Sequence, residues 1–275
     1  MVMNWFESII YGFIMSFSEF IPISSHAQGH MLQQIFGTDS HDYLRDLLVH
    51  LFALAAFFVA WKKPTELFQF NIRAFPNYQN RRGSRGVRQN RDSRFVRAAI
   101  IPMLLVMILS YYFWGSPNTI SIVILLIING IIMYLPERML RGNKSAGAMS
   151  SMDAWLIGSV SAISIIPGFS RMGLGIAVAQ MRGADRKHAL NWAYLLSIPA
   201  LLLLVGSDLI NLTFGSQFLV LSANFWGYLL LSISAFAGSF VSVYFMRNIV
   251  LHHGLCAFSY YSWGAALFMF ILYLL

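Results

Sequence analysis

The sequence predicts an all-α polytopic membrane protein, with six transmembrane helices and two re-entrant helical hairpins in an inverted-topology repeat. Three observations lead there. Of 275 residues, 57% are hydrophobic and only 11% charged, where a soluble domain carries roughly 25% charged residues. The apolar residues form continuous runs rather than alternating ones, which argues against a membrane β-barrel. Two of those runs are broken mid-way by helix breakers and polar residues, once at 19–30 and once at 167–173.

Taken in order, residues 3–21 are apolar apart from Glu7 and Glu19. A break follows, with Pro22, Ser24, Ser25, His26, Gln28 and His30, and then a short apolar piece to Phe36. Residues 47–61 form a run that ends on Trp61, Lys62 and Lys63, an aromatic and basic edge typical of the cytoplasmic side. Residues 62–97 form a basic cytoplasmic loop, whose middle, 77–93, is expected to be mobile because it is rich in Arg, Asn and Gly. Spans at 98–114 and 119–135 are joined by a tight turn from Gly115 to Asn118. Runs at 155–166 and 174–181 are each too short to cross a bilayer, which takes about 20 residues. Together they make the second hairpin. Spans at 190–206, 225–246 and 255–275 complete a single membrane domain over 1–275, with repeats at about 1–135 and 154–275.

Orientation comes from charge. Seventeen of the 19 Lys and Arg residues fall at 62–97, 138–144, 182–187 and Arg247. The positive-inside rule places all four segments in the cytoplasm. Counting spans from there makes the second broken stretch re-entrant. The first is either a re-entrant hairpin over 3–36 or a full span at 3–21 with the N-terminus inside; the polar centre of 19–30 and the lack of basic N-terminal residues favour the hairpin. Both termini are then outside and the two halves have opposite orientations, which is an inverted repeat. The net charge of +8 is therefore topogenic, with anionic membrane lipids as neighbours. No nucleic-acid partner is expected, because no recognition motif is present. The single cysteine, Cys256, excludes an internal disulfide and a cysteine-based metal site. A small-residue run at 232–242 is suited to close helix packing, inside one chain or across a homodimer.

Chemistry concentrates at the two breaks. Arg171 stands at membrane depth, where a charge is expensive and marks function by default. Around it, Gly168, Ser170 and Gly173 supply backbone N–H groups and a hydroxyl, a combination suited to phosphate or carboxylate. The other break offers Glu19, Ser24, Ser25, His26 and His30. If the two loops meet, one cavity can bind a phosphate, activate a nucleophile and protonate a leaving group. Plainer readings exist for each residue. Ser24 is also a natural helix N-cap, His30 an interior histidine, and Glu19 the counter-ion of Arg171.

The stretch Glu19-Phe20-Ile21-Pro22-Ile23-Ser24-Ser25, followed by Gly29-His30, resembles the Glu-Phe-Leu-Pro-Val-Ser-Ser-Thr-Gly-His block of the undecaprenyl-diphosphate phosphatase (bacitracin-resistance) family. Pro167-Gly168-Phe169-Ser170-Arg171, then Gly173, resembles that family's Pro-Gly-Phe-Ser-Arg-Ser-Gly block. The segment from Ala193 to Pro199 is similar to its Ser-Phe-Leu-Leu-Ala-Ile-Pro stretch. The resemblance implies a membrane phosphatase that hydrolyses undecaprenyl diphosphate, a polyisoprenyl diphosphate, to the monophosphate for lipid carrier recycling. It implies the bacterial plasma (inner) membrane, a site facing outward, and a divalent cation, Mg or Ca. Carried over, Glu19 is the essential acid, as base or metal contact. Ser25 or His30 is the nucleophile, the other assisting, and Ser170 and Arg171 clamp the diphosphate. Gly168, Gly173, Ser24 and His26 are expected to contact substrate.

Departures from the pattern matter. The family has a second Glu four residues before the first-block Glu, and Met15 stands there; a hard cation prefers several oxygen ligands. The family's Ser-Ser-Thr-Gly-His run is two residues longer in this chain, Ser24 to His30. The Ser after the family's Arg is Met172. These differences raise two alternatives: a flippase that moves a polyprenyl phosphate without hydrolysis, and a lipid-phosphate binder with neither activity.

Overall fold

The computed structural model describes residues 4–38, 42–60, 83–113, 118–139, 142–144, 148–214 and 224–275. Those residues contain ten α-helices and no strand. They are α1 (Trp5–Glu19), α2 (Ser25–Phe36), α3 (Tyr43–Ala60), α4 (Gly83–Phe113), α5 (Thr119–Arg138), α6 (Ser151–Ala162), α7 (Arg171–Met181), α8 (Arg186–Phe214), α9 (Phe225–His252) and α10 (Cys256–Leu274). A single 3-10 turn, Ile163–Ile165, follows α6. Five helices, α3, α5, α8, α9 and α10, are long and apolar enough to cross a membrane. The expected span at 98–114 falls in α4, whose apolar part is the shorter segment Phe95–Ser110.

The bundle differs from a soluble protein in its outer surface, which is apolar over a largely apolar core. Ile101, Leu105, Ile124, Ile131, Leu209, Phe245 and Leu267 are exposed, whereas Ser16, Asn129, Ser197 and Ser239 are fully buried. Apolar side chains turned outward on many helices need lipid around them, and polar groups turned inward find partners there. The protein is thus a multi-pass membrane protein.

Two sets of contacts fix the helices that carry and flank the breaks. The small-residue run in α9 packs against α1 of the same chain. A Cβ on Gly238 would lie 2.5 Å from the Phe13 carbonyl oxygen, so only glycine allows this crossing. Serines then clasp the two backbones: Ser16 Oγ donates to the Ala235 carbonyl at 2.6 Å and Ser239 Oγ to the Ser16 carbonyl at 2.9 Å. At the other end, Arg182 pairs with Asp153 at 2.5 Å, Arg186 with Glu137, and Leu255 N donates to Glu137 Oε1 at 3.0 Å. These contacts tie α6 to the end of α7, and α5 to α8 and α10.

The basic segment 62–97 is described in part. Residues 62–82 of the basic loop lie outside the described residues, but from Gly83 onward the backbone is helical and runs unbroken into the apolar part of α4. Arginine is a good helix former, and no proline occurs before Pro102 to stop propagation. The turn at 115–118 also falls largely outside the described residues.

Candidate active site

Each break is built by the same local logic. Proline at 22 cannot continue α1, which ends on Glu19. Ser24 then caps α2, its Oγ accepting from Ala27 N at 3.2 Å. Pro167 likewise ends the second run, and Ser170 caps α7, its Oγ accepting from Gly173 N at 3.1 Å. Between them Gly168 adopts φ +112°, a conformation L side chains rarely reach.

The two breaks meet. Gly168 N donates to Ser24 Oγ at 3.0 Å, so one hydroxyl serves both its own helix and the opposite loop. Ser170 Oγ donates to the Ile21 carbonyl at 3.4 Å. Arg171 at the first turn of α7 places a guanidinium nitrogen 2.5 Å from Glu19 Oε2, with side chains only 8% and 2% exposed. A buried ion pair in this setting is costly to assemble and far costlier to break. Asn129 of α5 anchors the second loop, accepting from Ser170 N at 3.0 Å and donating to Ser262 of α10 at 3.2 Å.

Beside the ion pair lies a cavity of about 10 Å³, room for about one water. Ser18, Glu19, Ser25, His26, Ser164 and Arg171 line it on the polar side, and Ile165, Phe169, Met107 and Leu204 on the apolar side. Arg171 Nε and Glu19 Oε1 remain without hydrogen-bond partners. One donor of the guanidinium and one oxygen of the carboxylate are therefore free for a ligand.

The structure thus brings Glu19, Ser25, His26 and Arg171 to one cavity, with Ser24, Gly168 and Ser170 forming the clasp behind it. His30 is elsewhere: its Nε2 lies 3.1 Å from Thr119 Oγ1. The reason is helical geometry. Because α2 starts at Ser25, the two additional residues before His30 are wound into the helix rather than absorbed by a loop. Two residues turn a side chain by about 200°. The place three residues after the second serine belongs to Gln28, which is buried. Gly173 serves packing: a Cβ there would meet Met133 Sδ at 2.5 Å. Met15 lies one turn before Glu19, buried with Tyr11, Leu32, Val49 and Leu231.

Three residues near the site were not singled out from the sequence. They are Asn129, His50 of α3 and Asp208 of α8. His50 Nδ1 lies 2.7 Å from Asp208 Oδ2, and its Nε2 lies 3.9 Å from Glu19 Oε1. Asn129 and His50 are isolated polar residues in apolar runs, a signal that was available, whereas Asp208 follows Ser207 just beyond the expected span at 190–206. For a metal, the donor set is thin. No group of three or more His, Cys, Asp or Glu converges among the described residues, and Met15 offers no oxygen. Glu19 Oε1 is the oxygen free to contact a cation, which would draw its other ligands from a diphosphate.

An outward-apolar helical bundle with a buried carboxylate–guanidinium pair where two broken helices meet defines a polytopic membrane protein with a buried charged centre. Residues 8–268 match the family described as Bacitracin resistance protein BacA, and the chain belongs to that family. A relative from Bacillus thuringiensis subsp. konkukian, named Undecaprenyl-diphosphatase 4, is 28% identical over 275 residues, covering 98% of both chains. Another from Carboxydothermus hydrogenoformans, named Undecaprenyl-diphosphatase, is 30% identical over 270 residues, covering 95% of this chain and 94% of its own. A third of that name, from Desulforudis audaxviator, is 30% identical over 225 residues, covering 77% and 81%.

Proposed function

We propose that the protein is a membrane phosphatase that hydrolyses undecaprenyl diphosphate to the monophosphate. The observation that carries this reading is the buried Glu19–Arg171 pair beside Ser25 and His26. The names of the full-length relatives supply the substrate.

Arg171 binds the terminal phosphate through Nε and the part of the guanidinium that Glu19 leaves free, and stabilises the charge that develops on it. The attacking oxygen is the Ser25 hydroxyl or a water beside it. Its proton passes to Glu19 Oε1, a new O–P bond forms, and the bridging O–P bond breaks with its electron pair going to the lipid monophosphate. Where Ser25 attacks first, a water then releases inorganic phosphate from it. His26 lines the cavity and assists at the leaving oxygen. Glu19 is the residue that would hold a divalent cation, together with the diphosphate, and such a cation would supply neutralisation of phosphate charge. The cavity holds about one water, so it must widen to admit the headgroup.

The same reading places six spans and two re-entrant hairpins in an inverted repeat, both termini and the site facing outward, in the bacterial plasma membrane. Five apolar helices support the spans, and the symmetric serine caps of α2 and α7 support the repeat. Transport without hydrolysis has no observation in its favour beyond Met15. Phosphate release from a prenyl diphosphate by the purified protein, with and without Mg or Ca, tests the reading. Release above that of the Arg171→Ala variant is expected, and its absence under both conditions refutes it.

A further inference from the structure

We infer that His50, braced by Asp208, is a positioning residue that works with Glu19 to hold the water consumed in hydrolysis. The inference rests on the phosphatase reading and deepens it.

Asp208 Oδ2 engages His50 Nδ1 at 2.7 Å, within a buried environment. That contact fixes the ring and commits one of its two nitrogens. The other, Nε2, is thereby aimed at Glu19 Oε1, 3.9 Å away. Both atoms are buried and neither has a hydrogen-bond partner. A gap of 3.9 Å is too long for a direct hydrogen bond, and a water oxygen set to one side of the line joining the two atoms can lie about 2.8 Å from each. Arg171 meanwhile holds Oε2, the other oxygen of the same carboxylate. The carboxylate is therefore gripped on one side and open on the other, towards His50.

The arrangement draws on four helices: α1 carries Glu19, α3 His50, α7 Arg171 and α8 Asp208. A buried His–Asp pair in an apolar bundle costs stability that two apolar residues would not. That cost fits a positioned chemical group better than a packing contact. Hydrolysis consumes one water whichever oxygen attacks first. With Glu19 Oε1 and His50 Nε2 as its two contacts, that water gives its proton to Glu19 as its oxygen bonds to phosphorus.

The test is steady-state phosphate release from farnesyl diphosphate by the purified full chain, comparing wild type, Asp208→Asn, His50→Gln, Glu19→Gln and the Glu19→Gln/Asp208→Asn double variant. Both replacements at Asp208 and His50 are expected to lower kcat by about 10- to 100-fold and to leave KM within about 3-fold, because they touch the water and not the diphosphate. The double variant should be no slower than Glu19→Gln alone, since the two residues act through one carboxylate oxygen. His50→Gln keeps similar bulk and carries the test if Asp208→Asn loses its fold. Unchanged kcat in the variants of an active wild type overturns the inference alone, and so do multiplicative losses in the double variant. A wild type that releases no phosphate overturns the phosphatase reading, and the inference falls with it.

Discussion

Removing Arg171 has two separable consequences. In Arg171→Ala, the Glu19 carboxylate keeps its burial, 2% exposed, but loses the guanidinium 2.5 Å away. Leaving one partner of a buried pair uncompensated costs about 3–5 kcal/mol of stability. For catalysis, the developing phosphoryl charge loses its fixed cation, a loss of about 3–4 kcal/mol or roughly a hundred- to a thousand-fold in rate. Adding Glu19→Gln to Arg171→Ala removes the stranded charge with a nearly isosteric amide. The double variant should regain most of the lost thermal stability, yet stay inactive, because neither the clamp nor the base is present. Arg171→Lys should restore part of the stability and little of the rate, since an ammonium lacks the planar fork. Thermal unfolding in detergent and phosphate release from a prenyl diphosphate are the two readouts. Full activity in Arg171→Ala, or recovery of activity in the double variant, would refute the reasoning.

Three further outcomes are expected. Met15→Glu should increase the dependence of the rate on Mg or Ca and lower the melting temperature, because position 15 lies one turn before Glu19 but among Tyr11, Leu32 and Val49; an unchanged cation response would place position 15 outside the cation's reach. Reporter fusions at Asn80 and Leu275 should report opposite sides of the membrane, and the same side for both would remove the inverted repeat. Gly238→Ala should destabilise by about 1–3 kcal/mol, since the new Cβ meets backbone 2.5 Å away; an unshifted melting curve would contradict the close crossing of α1 and α9.

How much was legible in the sequence differs by element. Helical class and the positions of five apolar spans follow from composition and run length, because lipid solvates apolar side chains along an entire helix and leaves the backbone no partner but itself. The two breaks were legible for a similar reason: Pro22 and Pro167 cannot continue a helix, and Ser24 and Ser170 satisfy the N–H groups of the next. Arg171 announced itself through the cost of charge at depth, and Glu19 was its expected partner.

Tertiary structure decided the rest, since it concerns residues far apart in the chain. Residues 129 and 50 each look like a lone polar residue in an apolar run and residue 208 like the polar end of one, and only packing brings Asn129 to Ser170 and His50 between Asp208 and Glu19. The 232–242 run was readable as a surface for close packing but not by whom it is covered; the answer is α1 of the same chain. His30 shows the limit of reading by motif. Its spacing from Ser25 looks minor as text, but a helix converts two residues into about 200° of rotation. His30 therefore meets Thr119, and His26 lines the cavity. Sequence dictates where a helix must stop and what it must bury, because those are local costs. Which side chains then share a cavity depends on how the helices cross and rotate, and that is settled by every contact in the bundle together.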